Sequence, residues 1–144
     1  MLKVKVLRPC AKAPTIAHPG EDLAYDIYAA EAVTIAPRGH AVVFTGIAIE
    51  LTSKTGEPMG ALLRDRSSMA ARRLALTAGV IDAGYRGEIK VLMENLGDAP
   101  AEIHAGDKIA NLLPYPVLTT EVQVVEELGE SLRDVKGFGS SGKR

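Results

Sequence analysis

The sequence predicts an all-β domain (a sandwich, a barrel or a jelly roll) that ends in a loose tail. Apolar residues recur at every second position in several short stretches, and clusters of Gly, Pro and Asp punctuate the chain between them. Helical pattern is scarce. Only "SSMAARRL", residues 67–74, reads as a helix, with a serine available as its N-cap.

In chain order, "MLKVKV" alternates Leu2, Val4 and Val6 with Lys3 and Lys5, which predicts a first strand. "HAVVFTGIAIEL" (40–51) places Ile47, Ile49 and Leu51 on one face. "GEIKVLMEN" (87–95) does the same with Ile89, Val91 and Met93, and "TEVQVVEE" (120–127) with Val122 and Val124. The breaks are "HPGED", "APRGH", "KTGEP", "LGDAP", "HAGD" and "LPYPV". No internal repeat is visible. The pattern divides the chain into a β domain over 1–130 and a glycine-rich arm over 131–144, which lacks apolar periodicity.

Composition narrows the class. With 144 residues, 47% of them apolar, the chain can bury a core as one domain. A net charge of −1 makes no case for a nucleic-acid partner or an anionic membrane surface. No apolar run reaches membrane-spanning length, the first residues lack a secretory pattern, and Cys10 has no second cysteine to pair with. A soluble cytoplasmic protein is expected.

The candidate chemistry lies in acidic, basic and glycine-rich stretches. His18, His40 and His104 are scattered, so no Cys/His metal site is expected. "RDRSSMAARR" (64–73) gathers Arg64, Arg66, Arg72 and Arg73 around two hydroxyls at the expected helix start, a pattern suited to phosphate oxygens. From composition alone, a solvated arginine face or a subunit contact is the favoured reading. "AGVIDAGYRGE" (78–88) sets Asp82 and Tyr85 among Gly79, Gly84 and Gly87, which suits a tight hairpin or close approach to a ligand. "LAYDIYAAE" (23–31) holds Asp26 in a strand context, where a turn or salt bridge would explain it. "GDKIANLL" (106–113) is a turn and an apolar run. The tail "GFGSSGK" has the spacing of a P-loop, but Arg144 stands where Ser or Thr should follow the lysine, and no helix follows.

Taken together and in order, from Ala24 to Gly142, these stretches resemble the five motifs of the homotrimeric dUTPases. "GVIDAGYRGE" is similar to the most specific of them, Gly-[Leu/Val]-Ile-Asp-x-x-Tyr-x-Gly. "RSSMA" resembles Arg-Ser-Gly-Leu-Ala, "YDIYAAE" the first motif, "GDKIANL" the fourth, and "GFGSSG" the glycine-rich fifth.

The resemblance implies a jelly-roll-like β-barrel that forms a homotrimer, with each active site built from three chains. It implies hydrolysis of dUTP to dUMP and pyrophosphate with Mg²⁺, which lowers dUTP and supplies dUMP for dTMP synthesis. Asp82 would be the general base that activates water for attack on the α-phosphate. Asp26 would hold metal-bound water, and Arg66, Ser67 and Ser68 would engage phosphate oxygens. Tyr85 would pack on the deoxyribose and leave no room for a 2′-hydroxyl, with Lys90 near the substrate. The backbone around 76–82, including Leu76, Val80 and Ile81, would form a hairpin that mimics a base-pairing partner and rejects cytosine and thymine. The arm would close over a neighbouring subunit's site. Phe138 would stack on uracil there, while Arg133, Gly139, Ser140 and Ser141 engage the phosphates.

Some positions depart from the family pattern. Leu76 replaces an asparagine, Gly84 an acidic residue, and Ser68 a glycine. Asn111 replaces the glutamine of the fourth motif and shortens its reach to phosphate. The tail reads "RDVKGFG" rather than "RGxGGFG". Two other functions fit the same fold: a dCTP deaminase, alone or combined with dUTPase activity, and a non-catalytic nucleotide-binding module. Deamination needs a glutamate where Leu92 stands, and Glu94 is two residues away. A binding module would not need the retained carboxylate and arm.

Overall fold

A computed structural model describes residues 1–131. Its elements are β1 (Leu2–Val6), β2 (Tyr25–Tyr28), β3 (Val33–Ile35), β4 (His40–Phe44), β5 (Ile47–Thr52), β6 (Pro58–Arg64), α1 (Ser67–Ala71), β7 (Leu74–Thr77), β8 (Val80–Ile81), β9 (Lys90–Asn95), β10 (Ala101–Ile103) and β11 (Lys108–Pro116). The largest sheet runs β1-β5-β6-β11-β2, with β8 also paired to β6. A second sheet runs β4-β9-β7, and β3 pairs with β10. Every pairing is antiparallel. The all-β expectation is met.

Burial follows the alternation. Ile89, Val91 and Met93 are fully enclosed, and Ile47, Ile49 and Leu51 are buried with them. They pack with Ile27, Leu74, Ile109 and Leu112 in one apolar core between the sheets. Asn95 is buried too, but its side-chain amide donates to the carbonyls of Ile35 and Ala99 at 3.0 and 2.8 Å, so its polarity is satisfied.

Three expectations need correction. Residues 120–127 form no strand, and Val122 and Val124 are 93% and 95% exposed. Their alternation suits a strand, but no sheet edge of the described chain receives it. The helix is shorter than expected. Arg73 adopts φ 59°, a left-handed conformation that ends α1. Its N-cap is Arg66, which makes no side-chain cap bond, while Ser67 is already the first helical residue.

The third correction concerns residues 76–82. β7 and β8 do not pair with each other: β7 pairs with β9 and β8 with β6, so the chain turns a corner between two sheets instead of forming a hairpin. Ala78 (φ 66°) and Gly79 (φ 136°) make that corner. Leu63 N–H donates to the Gly79 carbonyl at 2.7 Å, and a Cβ at position 79 would lie 2.7 Å from the Leu63 carbonyl oxygen. Only glycine fits there.

Candidate active site

β11 lies between β2 and β6, and its register sets Asp26, Asn111 and Arg64 side by side across three strands. Just beyond β6, the Arg66 guanidinium turns back onto this row. It forms an ion pair with Asp26 and lies 3.4 Å from Asn111 Oδ1. Lys108 Nζ takes the other Asp26 oxygen at 2.7 Å. Asp26 keeps only 15% of its side chain exposed, so a carboxylate there needs these two cations to offset lost hydration. Arg66 Nε is enclosed without a partner among the described residues. Asp26, Arg66 and Lys108 together carry one more positive charge than negative, and Arg64 in the same row adds another, which suits an anionic ligand.

The glycine-flanked loop after β8 builds a second cluster. Tyr85 N–H donates to the Asp82 carbonyl at 3.0 Å and closes the turn, which leaves the Asp82 carboxylate exposed. The Tyr85 hydroxyl donates to the Glu88 carbonyl at 3.0 Å. Its ring lies over Gly87, where a Cβ would come within 2.6 Å of Cζ. The glycine two residues after the tyrosine is therefore what lets the ring pack against the backbone there, 43% exposed. At position 60, a Cβ would meet the Ile81 carbonyl at 2.8 Å, so Gly60 lets β8 approach β6.

A pocket of about 140 Å³ opens at the β7–β8 corner. Leu76, Val80, Ile81 and Lys90 all line it, so four expected site residues meet there. Lys90 Nζ sits 5.4 Å from the centroid of the Phe44 ring, its cross-strand neighbour. Leu92, which lines the same pocket, leaves it without the glutamate that deamination needs.

Within one chain the two clusters stay apart. Ala61 of β6 pairs with Ile81, and Arg64 pairs with Asn111, a separation of about 10 Å along the strand. Ser67 and Ser68 are exposed at the start of α1. Arg133, Phe138, Gly139, Ser140 and Ser141 lie outside the described residues.

Two members of the site escape sequence reasoning. Lys108 stands in "GDKIANLL", where its lysine is the available signal, but the partnership with Asp26 needs the β2–β11 register. Asp65 accepts the Leu76 N–H at 2.6 Å, and its carbonyl accepts from Asn111 Nδ2 at 3.3 Å. An acid between two arginines is visible in "RDRSS", but its bond to β7 is not.

The family model described as dUTPase matches residues 11–142. The chain belongs to the dUTPase family. It is 39% identical to a deoxyuridine 5'-triphosphate nucleotidohydrolase of Clostridium tetani, covering 99% of this chain and 97% of that one. It is 42% identical to the protein of that name from Gloeobacter violaceus, covering 96% and 95%. Among solved structures, the Staphylococcus bacteriophage 80alpha dUTPase with dUPNHPP superposes with a TM-score of 0.89 at 32% identity, over 99% of this chain and 98% of that one. A variant of the phage phi11 dUTPase of S. aureus with a coordinated structural Mg(II) ion has a TM-score of 0.80 at 28% identity, over 90% and 99%. These dUTPase structures have the jelly-roll-like fold that the sequence resemblance implied, and the curled sheets of this chain share it. No helix among the described residues is long and apolar enough to cross a membrane.

Proposed function

We propose that this dUTPase-family chain hydrolyses dUTP to dUMP and pyrophosphate, with Asp82 as the general base. The observation that carries the assignment is the loop from Asp82 to Gly87. That one turn holds an exposed carboxylate and an aromatic ring packed against a glycine, in a chain whose family match spans residues 11–142.

Each residue then has a physical task. Asp82 takes a proton from the water that attacks the α-phosphate. Tyr85 offers a flat face to the deoxyribose. Arg66 engages phosphate oxygens, with Ser67 and Ser68 beside it. Asn111 braces the guanidinium, and Lys90 adds charge at the rim of the base pocket. The corner from Leu76 to Ile81, with Val80, presents backbone groups to uracil, whose pattern of acceptors cytosine does not reproduce.

The fit to Mg²⁺ is indirect. No group of three or more His, Cys, Asp or Glu able to hold a metal ion occurs among the described residues. Both Asp26 oxygens are ion-paired, but a carboxylate oxygen has a second acceptor site, so Asp26 can still accept from a metal-bound water. Asp26 would hold Mg²⁺ through water, and the ion would supply charge neutralisation at phosphate oxygens.

The assembly proposed is a homotrimer in which one chain's Asp82 loop faces another chain's Arg66 cluster. The exposure of Val122 and Val124 supports an association between chains. Residues 131–144, with Arg133, Phe138, Gly139, Ser140 and Ser141, would close over a neighbour's nucleotide. A cytoplasmic location, with neither a membrane nor a stable nucleic-acid partner, completes the reading. The test is pyrophosphate release from dUTP, dTTP, dCTP and UTP, with and without Mg²⁺. Release confined to dUTP and dependent on Mg²⁺ is expected. Equal turnover of dTTP, or ammonia released from dCTP, would overturn it.

A further inference from the structure

Thr77 is the last residue of β7, directly opposite Leu92 of β9. Opposed residues of an antiparallel pair share a face, and so do residues two apart, so Thr77, Leu92 and Lys90 look the same way. All three line the pocket at the β7–β8 corner. The Thr77 Oγ1 is enclosed and has no hydrogen-bond partner among the described residues. Such an orphan costs free energy and calls for a ligand, a water or a partner chain.

The surrounding sequence identifies which. Among residues 76–81, Leu-Thr-Ala-Gly-Val-Ile, only Thr77 has a side-chain heteroatom. Leu76 is apolar, so it has no side-chain hydrogen bond to offer a base. Pocket walls are mostly apolar, and a few placed polar groups orient the ligand. Here the polar side chains are Thr77 and Lys90, and Lys90 is the long, cationic one at the exposed rim. The pocket's volume of about 140 Å³ is well above the roughly 10–15 Å³ that a single water needs.

We propose that on nucleotide binding the Thr77 side chain rotates to bring its hydroxyl, enclosed in the free chain, onto the pyrimidine base, where it donates to a ring carbonyl oxygen. The assignment rests on the dUTPase reading above and adds to it a recognition group beyond the backbone. Thr77 sets base affinity and does not discriminate uracil from cytosine. A hydroxyl can rotate to donate to a carbonyl or accept from an amine, so discrimination stays with the backbone.

The test compares two inhibitors of dUTP hydrolysis by the full-length protein: dUMP, which carries the base, and inorganic tripolyphosphate, which does not. Thr77→Val should raise the dUMP inhibition constant about tenfold, the loss expected for one hydrogen bond, and leave that of tripolyphosphate within about twofold. Thr77→Ser should restore dUMP binding. If Thr77→Val does not fold, Thr77→Ala is read with the same two inhibitors. Unchanged dUMP inhibition, or equal weakening of both inhibitors, overturns the base contact. Equal weakening would mean that the hydroxyl supports the fold or a subunit contact. A wild-type protein that releases no pyrophosphate from dUTP removes the functional reading and this assignment together. An active wild type with an unresponsive Thr77→Val removes this assignment alone.

Discussion

The Asp65 carboxylate accepts the backbone N–H of Leu76 at 2.6 Å, and this bond ties the arginine-rich loop to the strand that leads into the base-side corner. The Asp65 carbonyl, in turn, accepts from Asn111, which touches Arg66. Asp65 thus connects the two, its carboxylate to β7 and its backbone carbonyl to Asn111 of the anion-binding cluster. Removing the side chain should release β7 and leave the bond to Asn111. Asp65→Ala is expected to cost about 1 kcal/mol, as for a single partly exposed hydrogen bond. That lowers Tm by about 3 °C in a chain of this size. Asp65→Asn, which keeps the acceptor oxygen, should recover most of the loss in a thermal melt.

Asp82→Asn tests the base directly. The variant keeps the shape of the loop, because the turn is closed by the backbone bond from Tyr85 to the Asp82 carbonyl. Affinity for a non-hydrolysable dUTP analogue should therefore be retained, while turnover falls at least about 100-fold. Pyrophosphate release at the wild-type rate would refute the role.

Gly87→Ala places a methyl group within 2.6 Å of the Tyr85 ring. The ring must lift, and the surface proposed to exclude a 2′-hydroxyl lifts with it. We expect kcat/KM for dUTP to fall about tenfold, equivalent to about 1.4 kcal/mol of transition-state stabilisation. The preference for dUTP over UTP should narrow, as measured by turnover of the two nucleotides in parallel.

Asp26→Ala strands two cations. Arg66 and Lys108 would lose their shared carboxylate in a setting where Asp26 is mostly enclosed. Because Lys108 is nearly half exposed, water recovers part of the loss. About 2 kcal/mol of destabilisation is expected in a denaturant titration, less than for a fully buried pair. The Mg²⁺ concentration needed for half-maximal turnover should also rise. An unchanged Mg²⁺ response would argue against the water-mediated role.

The all-β class, the strands around Leu2–Val6, Ile47–Leu51 and Ile89–Met93, and the loop carrying Asp82 and Tyr85 were legible in the sequence. Period-two alternation and glycine placement are local constraints, and Ile89, Val91 and Met93 point inward wherever the sheet is built. Val122 and Val124 show the limit of that logic. Their alternation describes a strand that needs an edge to pair with, and a one-dimensional pattern does not state whether the chain supplies one.

What the sequence by itself determined was chemistry carried by neighbours in the chain: the carboxylate, the aromatic and the glycines of one loop, and the arginine and serines of another. The tertiary structure alone decided which distant groups meet. The β2–β11–β6 register brings Asp26 to Arg66 and Lys108, and the corner at Ala78–Gly79 splits the expected hairpin between two sheets. It also leaves Thr77 with a hydroxyl that has no partner among the described residues, at the pocket that Lys90 lines. These are relations of strand order and register, set by the packing of the whole core, so no local stretch of residues encodes them.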